Sequence, residues 1–142
     1  MTEIEEKKEY LMRYRKIKRE IRRLTAEIQE LRLLKMYPSG GNRDGMPRGS
    51  GQRDLSDYMA AVDQKEHELT ERRKAAWDLF DEITDCIDAL KEEDEREVLV
   101  MRYIVGMRWE DIAGQMGYAT SHVYKLHGRG LKNLKFLKDD SK

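Results

Sequence analysis

Between Thr120 and Lys138 the chain carries five cations, Lys125, Arg129, Lys132, Lys135 and Lys138, and no acidic side chain. Thr120, Ser121, His122 and Tyr124 stand among them. Cations spaced this way neutralise phosphates, and hydroxyl, imidazole and lysine groups at the start of a helix can donate to base edges in a major groove. Lys125 is placed to donate to guanine O6 and N7. Thr120 and Ser121 can meet a base or a phosphate, and His122 and Tyr124 can bond or stack at the groove edge. Arg129 and Lys132, further along, are placed to hold phosphates. The candidate DNA-contacting set is therefore Thr120, Ser121, His122, Tyr124, Lys125, Arg129 and Lys132.

Such a helix needs a frame. Trp109 to Met116 reads as one short helix with Ile112 and Met116 inward and Ala113 at a close approach. Gly117 falls at the turn, where positive φ is cheap for glycine alone. A second helix starts near Thr120, with Val123 and Leu126 three apart on its inner face. This order of an apolar residue, alanine, glycine and two further apolar sites is that of a helix-turn-helix. Upstream, Val98, Leu99, Met101, Arg102 and Tyr103 form another amphipathic helix that Gly106 ends. Downstream, Leu131, Leu134 and Leu137 continue the helical spacing.

The rest of the chain reads as two long helices. From Glu3 to Met36 the apolar positions Tyr10, Tyr14, Ile17, Ile21, Leu24, Ile28 and Leu31 alternate four and three, a heptad seam. Leu55, Tyr58, Val62, Lys65, Leu69, Arg72, Ala76, Leu79, Ile83, Cys86 and Leu90 do the same, with Lys65 and Arg72 as polar interruptions that either set register or lie where the partner is thin. Residues 38–52, PSGGNRDGMPRGSGQ, hold both prolines and five glycines, so they form a flexible connector. Residues 1–37 hold 11 basic and 7 acidic side chains, whereas 53–93 hold 6 basic and 13 acidic ones. Opposite charge favours laying the first helix on the second. The spacing does not tell whether the seam closes within one chain or between two, so a homodimer through the hairpin is allowed.

The predicted fold is all-α, a long antiparallel helical hairpin (a coiled coil) followed by a small helix-turn-helix domain. The expected divisions are 1–93 for the hairpin, 94–138 for the DNA-binding domain and 139–142 for a disordered tail. The 142 residues, 39% of them hydrophobic and 39% charged, are too few and too polar for a large enzyme core. No apolar run is long enough to cross a membrane, and the N-terminal stretch is too polar for a signal peptide. A bacterial cytoplasmic protein is expected. Cys86 is alone, so neither an intramolecular disulfide nor a thiolate metal cage is available. His122 and His127 are five apart, which misses the helical spacing of a zinc pair. The acids from Asp78 to Glu95 are spread around their helix and read as a solvated face or a contact for a basic partner. No catalytic motif appears, and no enzymatic activity, cofactor, metal or small-molecule substrate is expected.

The helix-turn-helix stretch resembles region four of bacterial sigma factors, the module that reads the −35 promoter element. The likeness is carried by Glu95-Arg96-Glu97 before Val98-Leu99-Val100-Met101-Arg102-Tyr103, then Gly106, Trp109-Glu110-Asp111-Ile112-Ala113, the Met116-Gly117 turn, and Val123, Leu126, Arg129, Gly130 and Leu131. Together with the basic heptad helix and the Gly-Met-Pro-Arg-Gly-Ser-Gly loop, it is similar to small phage- and prophage-encoded sigma-like transcription regulators. The resemblance implies double-stranded DNA and core RNA polymerase as partners. Segments like sigma regions two and three are absent, so promoter melting is not implied. Where the family usually caps its two helices with Ser or Thr, Arg108 and Ala119 stand here, leaving Thr120 or Ser121 as candidate caps. Gly128 and Gly130 replace common alanines and predict a bent or frayed second helix. A phage small-terminase-like DNA-binding assembly protein and a helix-turn-helix protein-interaction adaptor are the competing readings.

Overall fold

The computed structural model describes residues 2–36 and 54–136, all of whose elements are helical. The connector 38–52, Leu137, Lys138 and the tail 139–142 lie outside the described residues. Helix α1 runs over Glu3–Met36 and α2 over Leu55–Asp88; α3, Glu93–Leu99, continues as a π-helical segment, Val100–Val105. Then come α4, Trp109–Met116, and α5, Thr120–Asn133. The all-α class expected from the periodicity is what the chain adopts. Among the described residues no helix is long and apolar enough to cross a membrane.

Both long helices start on reciprocal caps. Thr2 N donates to Glu5 Oε1 and Glu5 N to Thr2 Oγ1, at 3.0 and 3.1 Å, a capping box that satisfies two otherwise unpaired amides. Asp57 N donates in the same way to Asp54 Oδ1 at 2.9 Å. The second helix is two residues shorter than its seam suggests. It stops at Asp88, after which Leu90 stays buried while Arg96 donates to its carbonyl at 2.5 Å.

Packing gathers the chain into two compact units, Arg19–Lys74 and the pair Met1–Lys18 with Ala75–Lys142. The start of α1 and the end of α2 thus group with the C-terminal helices. In the Arg19–Lys74 unit, Leu24, Ile28 and Leu69 form a buried cluster, with Ile21 packed against it. Lys65 Nζ meets Glu27 Oε1 and Arg72 Nε meets Glu20 Oε1, each at 2.9 Å, and Arg32 pairs with Glu66. Residue numbers fall on one helix as they rise on the other, so the two segments are antiparallel. The two polar interruptions of the seam are thus cross-helix ion pairs. Leu55, expected in the seam, is exposed.

In the other unit Leu11, Ile83, Ile87, Val98, Leu99, Ile112, Val123, Leu131 and Leu134 are fully buried. Tyr14 tilts against Phe80, and the Tyr10 hydroxyl donates to Glu82 at 3.0 Å, so α1 and α2 are antiparallel here as well. The acidic run is not uniformly a solvated face. Glu95 is 3% exposed and accepts a hydrogen bond from Asn133 Nδ2 at 3.1 Å, tying α3 to the end of α5.

The Leu24–Ile28–Leu69 cluster yields a direct test. An Ile28→Asp substitution places a carboxylate among apolar side chains and should lower stability by about 3 kcal/mol, read as a reduced midpoint in urea unfolding. An unchanged midpoint would remove Ile28 from the core of this unit.

Candidate nucleic-acid interface

The frame of the site is the cluster Val98, Ile112, Ala113, Val123 and Leu126, with Met101, Met107, Trp109 and Met116 packed around it. Its members come from α3, α4 and α5 at the positions expected for a helix-turn-helix. Helix α4 closes on Gly117, whose φ of 76° is left-handed and whose amide donates to Ala113 O at 2.9 Å. Gly106, at φ 89°, ends the π-helical segment in the same manner. Tyr118, just past the turn, donates its hydroxyl to Asp94 at 2.5 Å. That contact raises the phenol's pKa, since the carboxylate favours the protonated form.

Helix α5 starts at Thr120 with Ala119 in the capping position, and no side chain caps it. Neither Thr120 nor Ser121 takes that part. Nor does the helix break at its glycines, since it is continuous from Thr120 to Asn133. Gly130 faces inward: a Cβ there would stand 3.3 Å from Leu99 Cδ1 and 3.5 Å from Glu95 Cβ. It is the contact that lets α5 lie close to α3, and this replaces the expected fraying with a packing role.

The structure places the predicted contact residues on both faces of α5. Ser121, Lys125, Arg129 and Lys132 are exposed, and Tyr124 is 51% exposed. These five, with spacings of three, four and seven, share the outward side of the helix. Among the described residues no salt bridge engages Lys125, Arg129 or Lys132. Thr120 and His122 are half-buried, and the His122 ring stands edge-on to Tyr118 at 4.6 Å. Tyr124 packs its edge against Trp109 at 5.2 Å, so one side of its ring is fixed while the other faces solvent.

An aromatic group behind this surface was not legible as a unit from spacing. Trp109 lies 4.7 Å from His127, edge to face, and Tyr103 stacks on His127 at 5.7 Å. Tyr103 Oη and His127 Nε2 share a 2.7 Å hydrogen bond. The Arg102 guanidinium sits 4.4 Å over Trp109 and donates to Met107 O at 3.0 Å, spanning the α3–α4 connection. Among the described residues no group of His, Cys, Asp and Glu could hold a metal ion.

Burial, and then the positive charges of Lys8 and Arg102, push the His127 imidazole down to about 4 from its usual 6.5. The folded state therefore prefers the neutral ring. Between these two values the unfolded chain carries the extra proton, so this contribution to stability is complete above pH 6.5 and is lost as pH falls toward 4. Discounted for the ring's partial exposure, the loss between about pH 7.5 and about pH 5 is roughly 1 kcal/mol. Urea unfolding of wild type and His127→Asn at both pH values should show the extra destabilisation in the wild type alone. Parallel curves would mean that this ring titrates as it does in water.

Residues 80–134 match the family model described as Sigma-70, region 4. No curated protein and no solved structure gives a significant match. The matched stretch takes in the end of α2 and all of α3, α4 and α5, and so includes every residue of the Val98–Leu126 core. Together the match and the geometry support a sigma-factor-like helix-turn-helix, a module of DNA-binding, polymerase-associated transcription regulation.

Proposed function

We propose that this protein is a sequence-specific DNA-binding transcription regulator without enzymatic activity of its own, which brings core RNA polymerase to bacteriophage or prophage promoters. The observation that carries the reading is the division of α5 into two faces. Val123, Leu126 and Gly130 are buried against the frame, while Ser121, Tyr124, Lys125, Arg129 and Lys132 look outward. A protein that needed α5 only for its core would gain nothing from an acid-free cationic outer face. Support for the polymerase part comes from the family match over 80–134. The phage setting rests on the sequence resemblance. Homodimerisation through the helical hairpin belongs to the same proposal, and a solution mass twice that of the chain is its expected signature.

The roles within the outer face differ. Lys125 lies in the first turns and reads a base edge, whereas Lys132 lies near the C-terminal end and holds a phosphate. Lys125→Ala should weaken binding to a selected site by ~1–3 kcal/mol and relax preference at one base pair. Lys132→Ala should weaken all duplexes alike and lower the slope of log affinity against log salt by roughly one. Fluorescence anisotropy on a selected and a scrambled duplex across a salt series separates the two. Equal losses on both duplexes for Lys125→Ala would make it a phosphate contact, and no effect of either variant would turn α5 away from DNA.

Polymerase recruitment has its own measurement. Purified core enzyme should retain the protein at low salt in the presence of promoter DNA. Recovery of none would leave a DNA-binding protein that acts without polymerase.

A further inference from the structure

Two of the five described glycines stand in helix interiors with open space where a side chain would be. A Cβ on Gly128, in α5, meets nothing within 4 Å, and neither does one on Gly114, in α4. Among the described residues nothing needs a glycine at either position, and in an exposed helix interior glycine is a poorer helix former than alanine. Gly130, two residues on, is the contrast, since a Cβ there would press on Leu99. The surroundings of the two open glycines are opposite in charge. Gly128 is next to exposed Lys125 three residues before it, Arg129 beside it and Lys132 four residues after it. Gly114 follows exposed Glu110 and Asp111 by four and three residues.

We propose that Gly128 is a contact residue of the DNA interface. It is a bare patch of helix where the sugar-phosphate strand comes up to the α5 backbone and is clasped by Arg129 and Lys132. The inference rests on the reading of α5 as the DNA-facing helix and adds a residue to it. A strand that approaches a helix backbone closely needs the absence of a Cβ on its line of approach, and it needs cations at the rim of that gap. Gly128 satisfies both conditions. Gly114 satisfies only the first, because the carboxylates of Glu110 and Asp111 repel a phosphate. Because the contact is to the backbone of the DNA, it is independent of sequence.

The test pairs Gly128→Ala with Gly114→Ala in the full chain, each measured for thermal midpoint and for anisotropy on a labelled mixed-sequence duplex at low salt. Both substitutions should raise the thermal midpoint by about 3 °C, because alanine is the better helix former. Gly128→Ala should nevertheless weaken binding about tenfold, as a methyl group forced into a closely packed contact does. Gly114→Ala should bind as the wild type does. A more stable Gly128→Ala protein that binds with wild-type affinity overturns the proposal and leaves the DNA-binding reading standing. A Gly128→Ala protein with a lowered midpoint also overturns it, since the glycine would then serve the fold. Equal weakening by both variants overturns it as well, because the charge surroundings would not matter. A wild-type protein that does not bind the duplex at all fails the DNA-binding reading itself.

Discussion

The end of α5 is held by an ammonium group from the start of the chain. Lys7 is 5% exposed, and its Nζ donates to Leu131 O at 3.0 Å and to Lys132 O at 3.2 Å. The last carbonyls of a helix have no partner within it, and burying them unpaired would cost about 1–3 kcal/mol each. A cation is the best donor for that place, because it also meets the negative end of the helix dipole. Burying the lysine carries its own desolvation cost, offset by the two carbonyls and by Glu3 at 3.6 Å. Around this contact Leu11, Leu131 and Leu134 are fully buried, and Tyr10 stands edge-on to Phe136 at 4.8 Å. The first turns of α1 therefore belong to the same compact unit as the helix-turn-helix, and α5 is anchored from behind while its outer face stays open.

A different logic holds the Arg19–Lys74 unit. Its apolar cluster is small, and its helices are matched by ion pairs: Lys65 with Glu27, Arg72 with Glu20 and Arg32 with Glu66. Partly exposed pairs of this kind contribute about 0.2–1 kcal/mol each, too little to drive association. They discriminate instead. A slip of the two helices by one turn would face Lys65 with Arg23, its present partner's neighbour one turn back, and Arg72 with Lys16. The repulsion disfavours that slip, and a slip the other way loses the pairs by facing Lys65 with Leu31 and Arg72 with Leu24.

The local part of the fold was legible in the sequence for a local reason. Gly117 and Gly106 mark turns that need a left-handed residue, and Ile112, Ala113, Val123 and Leu126 repeat at the period of a helix with one buried face. The boundaries of α4 and α5 follow from these few residues. What could not be read depends on partners distant in the chain. Leu11 and Ile87 lie beside the heptad seam, and only the arrival of the C-terminal helices explains why both are fully buried. Lys7 and Glu95 look like surface charges in charged runs, yet each finds its hydrogen bond on α5, more than thirty residues away. The outward set Ser121, Tyr124, Lys125, Arg129 and Lys132 was readable because burial of Val123 and Leu126 dictates which residues face away. His122 was not, since its ring is drawn toward Tyr118 from beyond the turn.

Helix α5 is a poor helix by its own composition. It has no side-chain cap at its start, β-branched Thr120 and Val123, two histidines and two glycines. In isolation a 14-residue peptide of this kind would be mostly unfolded. It stands because its inner face enters the Val98–Ile112–Val123–Leu126 core, because Gly130 lets it close on Leu99, and because Lys7 satisfies its far end. All three supports act from the inner side or from the C-terminal end. The outer face contributes little to folding, so its residues are free to be selected for what they meet. That division is why substitutions at Lys125 or Lys132 leave the core untouched.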